Sequence, residues 1–217
     1  MKHESTRTIT AYRQALRKWM GFRSPRLIVV FVVVVALLRT ALGAPHPGDL
    51  LAVMAGVIIW PFLEWGLHRY LLHIRPFRFL GVTVDPEFSR SHRAHHAEPW
   101  RPELIVLPPY IHLTLGPLLI AGAWWLAPSP ALALSALAGF GLAALNYEWT
   151  HFLVHTHIRP KNAYYRGLFR NHRLHHFRNE KYWYGFTVTS VDRLLGTGPD
   201  PDSTPRSPDC RDLGVKS

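Results

Sequence analysis

The 217-residue sequence predicts an all-α, integral-membrane fold: four transmembrane helices in two hairpins, beneath a cytoplasmic helical cap rich in histidine. Three observations predict it. Four long apolar segments are paired by two short turns that hold no Lys or Arg. The basic residues collect at the opposite ends of those segments, and so do ten of the fourteen histidines.

The elements follow in order. Residues 1–26 read as a basic amphipathic segment, in which Ile9, Tyr12, Leu16 and Trp19 recur at helical spacing among Arg7, Arg13, Arg17 and Lys18. Over residues 5–23 that pattern suits a helix on an anionic membrane surface. The late start of the first apolar run, after this basic stretch, does not read as a cleaved signal peptide. Residues 27–44 then supply a run long enough for a hydrocarbon core that needs ~20 residues. Arg39, near its far end, is placed to snorkel to the interface. Residues 50–72, 104–127 and 131–155 supply the second, third and fourth spans, with turns at "APHPGD" and "APSPA". Residues 27–197 thus form the membrane domain, and the Pro- and Asp-rich residues 198–217 read as a disordered tail.

Charge orients the spans. Residues 1–26 hold seven Lys and Arg, residues 69–101 hold six, and residues 156–217 hold eleven. By the positive-inside rule both termini and the central loop face the cytoplasm. The net charge of +11 raises nucleic acid as a partner. Because the basic residues flank apolar spans, the membrane accounts for them, and no nucleic-acid partner is expected.

An internal repeat runs through the chain. "EWGLHRYLLHIRP" (64–76) aligns without gaps on "EWTHFLVHTHIRP" (148–160), and each is followed by a His-x-x-His-His cluster. The grouped histidines are His68 and His73; His92, His95 and His96; His151 and His155; and His172, His175 and His176. Residues three and four apart share a helix face, so His151 and His155 project together, as can each tandem triad. His68 and His73 are five apart, about 140° around an ideal helix. They pair only if the helix ends between them, and Pro76 points to a terminal turn there.

Ten imidazoles cannot all be protonated side by side, and burying them unpaired carries a large desolvation cost. A metal resolves both problems, since neutral imidazole is the commonest metal ligand. Ten rings suit two ions, held between the two halves. The single cysteine, Cys210, excludes thiolate sites and internal disulfides. No His-Glu-x-x-His is present, so a zinc peptidase is unsupported. A nitrogen-only set does not choose among zinc, copper, iron and nickel. Glu64 and Glu148 each precede a histidine by one turn and are expected to accept its free ring N–H. His157 aligns with His73 and is an alternative ligand. His112 either lines the cavity or serves packing, and His3 and His46 stand outside the pattern. The aromatics of "FRNEKYWYGF" (177–186) either roof the site or anchor at the interface.

In their order between apolar hairpins, His-x4-His, His-x2-His-His, His-x3-His and His-x2-His-His resemble the fatty acid hydroxylase/sterol desaturase superfamily over residues 50–197. "DRLLGT" (192–197) is similar to a segment that follows the last cluster in many members. The resemblance implies a non-haem di-iron centre with the ten grouped histidines as ligands; zinc would load as an artefact. It implies dioxygen activation and hydroxylation or desaturation of a lipid C–H bond. It also implies electrons from a separate carrier protein, while the charge-set topology places the metal site on the cytoplasmic side. The alternative class is a membrane metal-binding or electron-transfer protein without oxygenase activity. Haem ligation inside the spans would leave most of these histidines unexplained.

Overall fold

The computed structural model describes residues 5–215, so the outermost residues of the basic N-terminal segment and of the expected tail lie outside the described residues. The described chain is largely helical. A 3-10 turn, Thr6–Thr8, opens it and is capped by the Ser5 side chain. Helix α1, Tyr12–Trp19, is shorter than the amphipathic pattern predicts. Its start is set by Gln14, whose side-chain oxygen accepts the N–H groups of Thr10 and Ala11 at 3.2 and 3.3 Å. The apolar stripe also divides: Ile9 and Trp19 are buried, while Tyr12 and Leu16 face outward.

Four helical stretches are long and apolar enough to cross a membrane: Arg23–Ala41, Pro47–Leu72, Pro102–Leu126 and Pro130–Val154. They match the four expected spans to within a few residues. They contain α2 (Arg23–Ala41), α3 (Pro47–Leu67), a short α5 (Pro102–Ile105), α6 (Pro109–Leu126) and α7 (Pro130–Val154). Outward apolar side chains such as Leu113, Leu118 and Trp125 are more than two-thirds exposed, as lipid-facing residues would be.

The chain divides into two compact units. One comprises Leu16–Trp60 and Val106–Trp149, and thus most of the apolar helices. Its core includes Val35, Leu134 and Leu137. Gly56 and Gly139 let α3 and α7 touch backbone to backbone: a Cβ on Gly56 would fall on the Ala136 carbonyl, and one on Gly139 on the Val53 carbonyl. Such small-residue contacts are how membrane helices pack closely. Arg39 does not snorkel freely. Its Nε donates to Asp49 at 2.7 Å, and Asp49 also accepts from the Ser135 hydroxyl at 2.7 Å.

The other unit comprises the residues up to Ala15, Pro61–Ile105, and the chain from Thr150 onward. Here α3 passes into a π-helical turn, His68–Leu72. The all-α expectation is corrected by a small antiparallel hairpin, β1 (Phe77–Phe79) with β2 (Val82–Val84). Helices α4 (Glu87–Ala97), α8 (Ala163–Phe177) and α9 (Ser190–Leu194) follow. Asn162 starts α8 by accepting the Tyr165 N–H at 2.8 Å. Ser89 of α4 donates to the Leu71 carbonyl at 2.8 Å, which ties α4 to the end of the π turn.

The expected disordered tail is also corrected for residues 198–215. They are irregular, but they are tied down. Ser207 N–H donates to the Arg178 carbonyl at 2.8 Å, Arg178 to the Thr204 carbonyl at 2.9 Å, and Arg75 to the Leu213 carbonyl at 3.0 Å. Cys210 and Leu213 are buried. A polar, Pro-rich composition does not prevent order when the backbone groups find fixed partners.

Candidate metal centre

All ten grouped histidines belong to the second unit described, and nine of them form two tight sets. His68, His73, His92, His96 and His175 each offer a ring nitrogen within 4.8 Å of the others. His95, His151, His155 and His172 do the same. The tenth, His176, is buried with no hydrogen-bond partner on either ring nitrogen. Its ring lies 4.0 Å from that of His96 in the first set, and 4.3, 4.8 and 4.9 Å from those of His172, His95 and His155 in the second, so it borders both and touches more members of the second. The repeat therefore interlocks. Each set draws mostly on one half of the sequence, with His175 and His95 exchanged between halves.

The π turn explains the awkward spacing of the first pair. In an α-helix His68 and His73 would diverge. Hydrogen bonds from i to i+5 bring residues five apart onto one face. Their ring centroids are 5.1 Å apart. The helix also ends between the pair, as expected: the π turn stops at Leu72 and His73 is its C-cap. In the second repeat the helix stays α through Val154, and there the pair is His151 and His155, with ring centroids 5.1 Å apart. His157, the counterpart of His73, lies past that helix end. It is exposed beside Trp100 and outside both sets.

Ring orientation is set by main-chain carbonyls. His68 Nδ1 donates to Tyr184 O at 2.8 Å, His96 Nδ1 to Cys210 O at 2.8 Å, and His175 Nδ1 to Tyr182 O at 2.7 Å. His151 likewise bonds the Ile105 backbone. With Nδ1 as donor, Nε2 of the neutral ring carries only a lone pair. Those lone pairs converge. His68 Nε2 meets His92 Nε2 at 3.2 Å, and His151 Nε2 meets His95 Nε2 at 3.1 Å. The Nε2 atoms of His96 and His175 are buried without any partner. Apposed and orphaned imidazole lone pairs leave a full coordination demand for a cation, so the residues present fit a pair of metal ions.

Burial holds these rings neutral. It pushes His96 down to about 3, with Cys210 opposing slightly. His73, His92, His95, His155, His172, His175 and His176 are all driven well below the ordinary imidazole value, first by burial and then chiefly by their histidine neighbours.

The carboxylates do other work than expected. Glu64 accepts the N–H groups of Phe186 and Thr187, the latter at 2.9 Å, and the Thr187 hydroxyl at 2.8 Å. The ring N–H of His68 goes to Tyr184 instead. Glu148 accepts the Leu107 N–H at 2.9 Å and the Ser24 hydroxyl, and Ser24 in turn meets His112 at 2.6 Å. Glu64 thus fixes the loop that carries the site's carbonyls, while Glu148 and His112 stitch the other unit.

Asp192 is the supporting residue that spacing arguments miss. Its carboxylate accepts the N–H of Tyr184 at 2.8 Å, the N–H of Gly185 at 2.9 Å, Asn171 Nδ2 at 2.9 Å and the Thr197 hydroxyl at 2.8 Å. It anchors the turn whose Tyr182 and Tyr184 carbonyls orient His175 and His68. The turn holds Trp183 at φ 58°, a conformation that costs energy for a bulky residue. Trp183, Tyr184 and Phe186 are buried and not placed to anchor at an interface, and Tyr184 and Phe186 pack against the histidine rings. The Phe186 ring lies 5.2 Å from His68, 4.7 Å from His151 and 4.2 Å from His172, against both sets at once.

This frame of interlocked histidines agrees with a family model. The model described as "Fatty acid hydroxylase" matches residues 53–197. The chain belongs to the fatty acid hydroxylase family. Among relatives in this family, a dihydroceramide fatty acyl 2-hydroxylase of Arabidopsis thaliana is 31% identical over 187 residues, covering 85% of this chain and 76% of its own. The ceramide very long chain fatty acid hydroxylase scs7 of Schizosaccharomyces pombe is 29% identical, covering 80% of this chain and 50% of its own. Human fatty acid 2-hydroxylase is 26% identical, with 66% and 38% covered, so the chain spans less than half the length of that relative. The solved hydroxylase domain of scs7p shares the fold, with a TM-score of 0.67 at 23% identity over 91% of this chain and 70% of its own.

Proposed function

We propose that this chain is a membrane-bound lipid hydroxylase that installs a hydroxyl on the acyl chain of a fatty acyl or ceramide-type lipid. Carbon 2 is the proposed position, by analogy with the relatives, which are named 2-hydroxylases. The observation that carries the reading is the convergence of imidazole lone pairs held in register by carbonyls.

His68, His73, His92, His96 and His175 would hold one iron ion, and His95, His151, His155, His172 and His176 the other. A non-haem di-iron pair, when bound, supplies dioxygen activation and oxidation of an unactivated C–H bond. One oxygen atom of dioxygen enters the product as hydroxyl and the other leaves as water. Two electrons and two protons come from outside. A separate electron-carrier protein is the proposed source of the electrons, docking on the basic cytoplasmic surface. The chain's own residues orient and protect. Backbone carbonyls lock the ring tautomers. The Glu64 and Asp192 carboxylates fix the 182–187 turn. Phe186 packs against the rings and excludes water. Charge distribution supports a site and termini on the cytoplasmic side, where bilayer-dissolved lipid and a soluble donor both reach.

The test is lipid analysis of cells expressing the chain with an active electron donor, against the same cells carrying His172→Ala. A fatty acyl or ceramide species heavier by one oxygen atom, absent in the variant, is the expected result. An unchanged lipid profile with the donor active contradicts the proposal.

A further inference from the structure

The β1–β2 hairpin has a feature that the hydroxylase reading does not use. Its register pairs Phe77 with Val84, Arg78 with Thr83, and Phe79 with Val82. Directly opposed residues share a face, and neighbours along a strand alternate. Phe77, Phe79, Val82 and Val84 therefore make one wholly apolar face, while Arg78 and Thr83 make the other. The apolar face is open: Phe77 is 46% exposed, Phe79 60% and Val82 65%.

The tip is more unusual. Leu80 (φ 48°) and Gly81 (φ 81°) form a two-residue turn with both φ values positive. Asn or Asp is the ordinary choice at the first position of such a turn, because a polar side chain relieves the left-handed conformation. Leucine gains no such relief. Here it is also 88% exposed, the most exposed large apolar side chain among the described residues. A strained, water-facing leucine at the apex of an apolar blade is stabilised only if something apolar receives it.

We infer that this hairpin is an interfacial foot that lays its apolar face and its Leu80 tip into the lipid surface. Position selects lipid as the occupant. The second membrane-spanning stretch ends at Leu72, five residues before Phe77. An extended chain of that length reaches about 18 Å at most. The hairpin is thus tethered to the edge of the hydrocarbon layer. Arg78, on the polar face, is then level with the phosphates of the headgroups, where cations are favoured. Strands of three residues are too short to be stable alone in water, and lipid contact supplies the missing cover.

The test uses the full chain in nanodiscs of phosphatidylcholine and phosphatidylserine. Leu80→Cys and Thr83→Cys variants each carry an environment-sensitive NBD label; Cys210 is buried, and the labelled parent chain reports any background. At position 80 the emission should shift to the blue and be quenched several-fold more by acyl-chain nitroxide lipids than at position 83. Trypsin cleavage after Arg78 gives a label-free second reading: it should be several-fold faster in a Phe77→Ser/Phe79→Ser variant than in the parent. Water-like emission at both positions with no effect of nitroxide lipids overturns the inference. So does shielding that follows the number of chains per disc and not the lipid, which would mean a second copy covers the face.

Discussion

His96 stacks on His176, with ring centroids 4.0 Å apart and planes 14° from parallel. This contact joins the two histidine sets, because His96 belongs to one and His176 flanks the other. Removing His176 should therefore disturb both. His176→Ala is expected to lower bound metal from two ions per chain to one or fewer, measured by elemental analysis of purified protein. His157→Ala, at an exposed ring outside both sets, should leave the metal content unchanged.

Asp192 acts on the histidine sets indirectly. Its four accepted hydrogen bonds hold the turn whose carbonyls aim His68 and His175. Asp192→Asn keeps the shape but turns one acceptor oxygen into a donor. It should cost roughly 2–3 kcal/mol of stability and about 10–100-fold in metal affinity. Thermal unfolding in detergent and competition with a chelator read the two effects separately. A stability loss with unaltered affinity would confine Asp192 to the fold.

Acid should release the metals and then weaken the metal-free protein. The buried imidazoles titrate below their unfolded value of 6.5, and His96 does so only at about 3. Between those limits the unfolded chain binds more protons than the folded one, so stability rises with pH. The contribution is complete above 6.5 and is lost as pH falls through the window toward 3. For His96 that amounts to about 1.4 kcal/mol per pH unit inside the window. Melting temperatures of metal-free protein from pH 8 to pH 4 should fall steadily below 6.5; a flat profile would contradict the assigned neutrality.

The close approach of α3 and α7 makes a packing prediction. Gly139→Leu would drive a side chain into the Val53 backbone, and Gly56→Leu would do the same at Ala136. Each should lower stability by roughly 3 kcal/mol or more, since backbone cannot yield as a side chain can. Gly66→Leu meets no atom within 4 Å of its Cβ and should be far milder. Thermal unfolding of the three variants in one detergent makes the comparison.

Much of this was legible in the sequence because it lies in spacing and charge. Apolar length located the spans, and the His-x-x-His-His triads on α4 and α8 need only helical periodicity to face inward. The π turn was not legible, since nothing in His68–Leu72 distinguishes five-residue hydrogen bonding from an ordinary helix end. The repeat misled at one point for the same reason. It aligns His68 with Phe152 and His151 with Leu67, although each histidine opens the ligand pair of its own half. The carbonyls of Tyr182, Tyr184 and Cys210 were equally invisible, because a backbone acceptor has no residue signature. Cys210 shows the consequence: a segment that reads as tail by composition supplies the partner of His96 through its main chain.

Two metal ions held by ten imidazoles from two interlocked halves would be directly countable. Protein purified anaerobically and loaded with ferrous iron can be assayed for metal per chain, with an anomalous difference map to place what is bound. Two iron ions per chain are expected, one within the His68, His73, His92, His96 and His175 set and one among His95, His151, His155, His172 and His176. A single ion, or iron bound away from these rings, would contradict that arrangement.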